Sequence, residues 1–277
     1  MMIPQVLRGR NQIGGNLIQV TCGGTKILLD AGETLEGEAD IPPQAAWLTE
    51  PGGCDAVFLT HTHRDHMGLA EQIHPDIPLY LGYRAWKVLR AANQYLGRRT
   101  PGPAGFLEHG RPIQIGALTV TPYLCDHSAF DSYMLLVEGG GQSLLYTGDF
   151  RGHGRKSYDT LLQQLPEQVD FLVCEGTNLS RQSQEIWDEK TLESRAVDWM
   201  ERCRGPVFVM QAATNLDRLV SFYRAAARSG RIFLEDLYQA EVACAAVPSI
   251  PQPGRFSNVR VFLPARVSAE GPRYQRF

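Results

Sequence analysis

The feature that most constrains this chain is the apolar run from Ala56 to Thr60, which empties directly into His61-Thr62-His63-Arg64-Asp65-His66. A continuous apolar run of this length suits a strand covered on both faces. Four metal-binding side chains in six residues at its end call for a fold that brings strand ends to a common rim. Histidine is rare, seven in 277 residues, so an H-x-H-x-D-H run arises by chance with odds on the order of two in ten thousand. In an extended segment His61 and His63 can turn the same way, while Asp65 and His66 open a helix and face a neighbouring ion. Imidazole mixed with carboxylate suits Zn²⁺, Mn²⁺ or a similar borderline ion.

The same design recurs along the chain. Leu118 to Leu124 runs into Asp126-His127-Ser128, Ser143 to Tyr146 into Thr147-Gly148-Asp149, and Val169 to Cys174 into Glu175. Earlier, Asn16 to Val20 and Lys26 to Leu29 flank Cys22-Gly23-Gly24 as a hairpin, and the second run ends in Asp30-Ala31-Gly32. A layered α/β domain gathers such strand ends into one site. Two ions need more ligands than the first motif offers, and His127 and Asp149 are the natural suppliers. His74 and His109 read as surface residues; His153, close to Asp149 in sequence, is held in reserve. Residues 84–97 have helical spacing. After Glu175 helix and strand alternate: a helix through Arg195 to Met200, a strand at Val207 to Met210, a helix from Leu216 to Ala227, and strands at Arg231 to Leu234 and Val259 to Leu263. This reads as a second α/β unit.

Composition narrows the class. With 43% hydrophobic and 21% charged residues, the chain is an ordinary globular protein, not a disordered, collagen-like or coiled-coil one. No apolar run approaches the roughly 18 residues needed to span a bilayer, and Met1 to Gly15 lacks a signal-type apolar stretch, so the expected setting is cytoplasmic with no membrane partner. Six cysteines without a C-x-x-C pair read as reduced thiols. The net charge of −3 divides unevenly: residues 195–277 carry twelve arginines, seven acids and no lysine, +5, which leaves −8 before them. Such a segment suits phosphate.

Taken together, Leu29-Asp30-Ala31-Gly32, the His61 to His66 motif, His127 and Gly148-Asp149 resemble the successive motifs of the metallo-β-lactamase superfamily. Asp126-His127-Ser128, Tyr146-Thr147-Gly148-Asp149-Phe150-Arg151, Glu175-Gly176-Thr177-Asn178 and Ala213-Thr214-Asn215 are similar to its β-CASP branch, which includes ribonuclease J and the cleavage-factor nucleases. The resemblance covers residues 12 to about 265. It implies an α/β fold, the αβ/βα four-layer sandwich, with a metallo-β-lactamase domain over residues 1–177 and a partial β-CASP-like α/β domain over 178–277. It implies two divalent ions, zinc or alternatively manganese: His61, His63 and His127 on one, Asp65 and His66 on the other, Asp149 bridging. Asp30 would orient a ligand histidine, Glu175 would be the branch's first acidic residue, and Ser128 and Arg151 would support the site or bind phosphate. The implied activity is phosphodiester hydrolysis of RNA, or of DNA, by a hydroxide held between the ions, with Asp65 as catalytic base.

The pattern departs from the branch in one respect. The family places two histidines beyond the β-CASP helices, and this sequence has none after His153. The expectation is a chain cut short, an incomplete second metal site and open strand edges, which a homodimer is one way to cover. Two other readings stand beside the nuclease: a metallo-hydrolase of small esters, thioesters or lactams, and a degenerate RNA-binding member without catalysis.

Overall fold

A computed structural model describes residues 1–35, 40–179 and 186–263. Arg266, Arg273 and Arg276 of the basic segment lie outside them. The chain divides into two compact units. The first comprises residues 1–86, 99–152 and 156–183; the second comprises 87–98, 153–155 and 184–277.

The first unit is built on two sheets. Strands β1 (Ile3–Arg8), β2 (Leu17–Cys22), β3 (Thr25–Leu29), β4 (Ala56–Phe58), β5 (Leu79–Gly82) and β6 (Gly105–Leu107) lie in that order in one sheet. The β1–β2–β3 part is antiparallel, and from β3 onward the pairs are parallel. The second sheet runs β11 (Phe171–Val173), β10 (Gln142–Tyr146), β9 (Tyr133–Gly139), β8 (Leu118–Leu124), β7 (Ile113–Ile115), with only the β10–β11 pair parallel. Inward residues of both sheets, among them Val20, Ile27, Leu29, Phe58, Val120, Leu135 and Leu144, form one core. Alternate residues pack outward: Leu28 and Val57 are also fully buried, as parallel strands covered on both faces require. Cys125, Met134, Leu136 and Leu145 pack with Leu161 of helix α3 (Tyr158–Leu162). Burying the larger of these side chains contributes about 1.5–3 kcal/mol each. Helix α1 (Arg64–Met67) is a single turn. Helix α2 (Tyr83–Leu96) starts where Asp131 Oδ2 accepts from the Arg84 and Ala85 amides, filling the role of a cap.

The second unit contains α4 (Glu189–Arg202), α5 (Leu216–Arg228) and α6 (Leu237–Ala245), capped by Asp188, Asn215 and Asp236, and the parallel pair β12 (Phe233–Glu235) and β13 (Val259–Val261). Ala196, Val197, Met200, Ala225 and Ala226 pack with Phe222 and Phe233 as its core. The expected strand at Val207 to Met210 is not one: it pairs with no strand among the described residues, and Phe208 and Met210 are 92% and 101% exposed. A β-prone run becomes a strand only where a neighbour completes its ladder. Arg218, an arginine of the basic segment, donates to the buried Glu189 at 3.1 Å. Arg155 and Arg228 converge on Glu193. No described helix is long and apolar enough to cross a membrane.

Candidate metal centre

The site residues follow strand ends of the first unit. Asp30 follows β3, His61 and His63 follow β4 and precede α1, His127 follows β8, Asp149 follows β10, and Glu175 follows β11. Gly148, at φ +51°, lets the Asp149 loop pass Thr60 where a Cβ would meet that side chain at 2.9 Å. Gly32 is needed for closeness alone, since a Cβ there would fall on the Asp65 carbonyl.

Four imidazoles meet. Ring centroids lie 4.1 Å apart for His61 and His66, 4.6 Å for His61 and His127, 4.8 Å for His61 and His63, and 4.9 Å for His63 and His127. Two groups bring their ligand atoms within 4.8 Å of one another: His61 with His63 and His127, and His61 with His66 and Asp149. Asp149 reaches toward both, with Oδ1 3.1 Å from His66 Nε2 and Oδ2 3.9 Å from His127 Nε2. Asp65 Oδ2 lies 3.8 Å from His66 Nε2. His153 belongs to neither group.

Asp30 organises this from beneath. At φ +59°, a conformation side chains rarely adopt, its carboxylate accepts from the Thr60 amide at 2.7 Å, the Tyr146 hydroxyl at 2.6 Å and the Thr60 hydroxyl at 2.9 Å. It also lies 2.7 Å from His66 Nδ1. Such a carboxylate fixes the tautomer of a ligand histidine. Around it the loops are tied together. Glu175 Oε1 accepts from the Phe150 amide at 2.8 Å, and Arg151 donates its amide to the Asp126 carbonyl at 2.8 Å and its Nε to the Asp126 carboxylate at 3.3 Å. Arg151 is therefore engaged with its neighbour loop. Ser128 follows His127, partly buried.

The electrostatics fit a cation. Burial, reinforced by the neighbouring histidines, holds His61 well below the usual imidazole range and pushes His127 down to about 3; burial also lowers His63. His66 goes the other way: burial opposes its charge, but Asp30 and Asp149 outweigh it and raise it to about 10. Burial would raise Asp149, yet His66 holds it below the carboxylate range. Burial raises Glu175. The buried Nε2 of His61 has no hydrogen-bond partner among the described residues. A buried lone pair without a partner, ringed by three further imidazoles and a carboxylate, is the donor set that a divalent ion satisfies. His61, His63, His66, His127 and Asp149 are the residues that would hold it; Asp65 belongs to neither group and lies beside His66. Sequence reading missed Thr60 as a partner of Asp30, and also Asn16, whose amide nitrogen lies 3.0 Å from His66 Nε2. Beside Asp65, His66 and Asp149 opens a cavity of about 690 Å³, also lined by Arg10, Asn16 and Glu175.

Residues 25–210 match the family model for the beta-lactamase superfamily domain, well over half of the chain, and the chain belongs to that superfamily. It is 26% identical over 223 residues to ribonuclease J of Sinorhizobium meliloti, covering 77% of this chain and 39% of that protein. It is 27% identical over 246 residues to ribonuclease J of Mycobacterium tuberculosis, covering 81% and 42%. The chain thus spans about two-fifths of the length of these curated relatives. A crystal structure of a protein of unknown function from Enterococcus faecalis superposes with a TM-score of 0.75 at 21% identity, covering 86% of this chain and 66% of that one. These likenesses support the α/β metallo-β-lactamase fold and the resemblance to the β-CASP branch.

Proposed function

We propose that the chain is a metal-dependent phosphodiester hydrolase acting on RNA through a two-ion centre. The observation that carries this reading is the convergence of His61, His63, His66, His127 and Asp149 from separate strand ends around a histidine nitrogen left without a partner among the described residues. The ribonuclease names of the relatives support the substrate class. Bound divalent ions would supply Lewis acidity that acidifies water and offsets charge on a phosphate. The side chains do the rest. Asp30 holds His66 in one orientation, Asp149 spans the two halves, and Glu175 and Arg151 fix the Asp149 loop. Asp65, at the cavity wall, accepts the proton of the attacking water. In the same reading residues 178–277 are the β-CASP-like part.

The test is cleavage of a labelled single-stranded RNA, with the matching DNA beside it. Asp149→Ala abolishes cleavage while leaving the far-ultraviolet spectrum unchanged. Undiminished cleavage by this variant would sink the mechanism, and a wild-type protein that binds RNA without releasing product would replace it with the binding role.

A further inference from the structure

His66 is committed at one nitrogen. Its Nδ1 lies 2.7 Å from Asp30 Oδ2 and shares a proton with it. Its other nitrogen, Nε2, faces Asp149 Oδ1 at 3.1 Å and the Asn16 amide nitrogen at 3.0 Å. An ion held at Nε2 takes the ring's lone pair, so an amide N–H is the wrong group to point at that position and an amide oxygen the right one. Half a turn about the last Asn16 side-chain bond puts Oδ1 where Nδ2 stands, and the two ends of an amide are nearly the same size. The main chain of Asn16 keeps the side chain there. Its N–H donates to the Asp65 carbonyl at 3.1 Å and its carbonyl accepts from the Gly32 amide at 3.0 Å. Gly14 and Gly15, at φ +77° and +71°, fold the preceding loop over Asp65.

We propose that Asn16 supplies an amide-oxygen ligand to the ion held by His66, Asp65 and Asp149. This rests on the two-ion reading above. Among the described residues His66, Asp65 and Asp149 offer that ion one imidazole and two carboxylates, and the Asn16 oxygen adds a further donor from within the fold, beside the position that the attacking water takes. The two halves of the centre then differ in hardness. The ion on His61, His63 and His127 sits among imidazoles and favours zinc, whereas the ion beside Asn16 sits among oxygens and accepts manganese more readily.

Calorimetric titration of the chelator-stripped full chain with Zn²⁺ alone and with Mn²⁺ alone, with bound metal counted after dialysis, decides the matter. The wild type takes up two ions. Asn16→Ala weakens the second by about tenfold or more and leaves the first unchanged, while Asn16→Asp, which keeps an oxygen donor, holds both. Should Asn16→Ala lose its folded spectrum, Asn16→Leu, of similar volume and without a donor, carries the same test. Two ions held at wild-type affinity by Asn16→Ala or Asn16→Leu overturn the proposal and leave the two-ion reading standing. One ion or none in the wild type overturns that reading, and the role of Asn16 with it.

Discussion

Asp30 and Glu235 occupy equivalent local positions, a carboxylate at the C-terminal end of a parallel strand, and their surroundings could hardly differ more. Asp30, 0% exposed, accepts from Thr60 and Tyr146 and pairs with His66. Glu235, 3% exposed in the second unit, has no hydrogen bond to either oxygen among the described residues. Burial, helped by Asp236, pushes its carboxyl up to about 8. A buried carboxylate is stable where donors converge on it and stays a neutral acid where none do. The first unit spends its buried polarity on orienting ligands; the second keeps Glu235 as a cost that ionisation exposes.

Three experiments bear on this contrast. The largest effect is expected from Asp30→Ala, which strands His66, the Thr60 amide and the Tyr146 hydroxyl. Urea unfolding registers a loss of about 3–5 kcal/mol, and metal affinity drops about 10- to 100-fold; a variant as stable as wild type would erase the difference between the two carboxylates. Next comes Glu235→Gln. A carboxyl held near 8 in the folded unit and near its ordinary value in the unfolded chain favours folding fully below about pH 4.5, and that contribution is lost as the pH rises through about 8. Amide-exchange protection in α5 and α6 therefore falls between about pH 5 and 8 in the wild type and stays level in Glu235→Gln. A parallel decline in both proteins would mean that Glu235 carries no penalty. The smallest effect belongs to Arg228→Ala. Arg228 is half-exposed and Arg155 remains on Glu193, so thermal unfolding shifts by less than about 1 kcal/mol.

Much of the site is legible in the residues because strand ends announce themselves. An apolar run followed at once by His, Asp or Glu marks His61, His127, Asp149 and Glu175 without any structure, and the geometry brings the first three together. Other parts left little or no trace. Strands of three residues, such as β6 and β7, are too short to show a period. Strand β9 was in view as Tyr-Met-Leu-Leu-Val, and Gly139-Gly140-Gly141 before the β10 run is the turn signal that would have found it. Helix α6 buries residues on most sides and so lacks the polar stripe that identifies a surface helix. The bond from Tyr146 to Asp30 joins residues 116 apart, and the approach of Asn16 to His66 joins residues 50 apart. No local pattern encodes such pairs.

The stitching between residues 16, 31–33 and 64–66 has a further use. Helix α1 is one turn long and could not persist alone. It is pinned by main-chain bonds from the Asn16 amide to Asp65, from Ala31 to His66 and from Glu33 to Arg64. Peeling the ligand-bearing turn away from the sheet must break these bonds together. The deuterium uptake of those three amides thus serves as a gauge of the centre's integrity, readable in any buffer, with any metal, and before a substrate has been chosen.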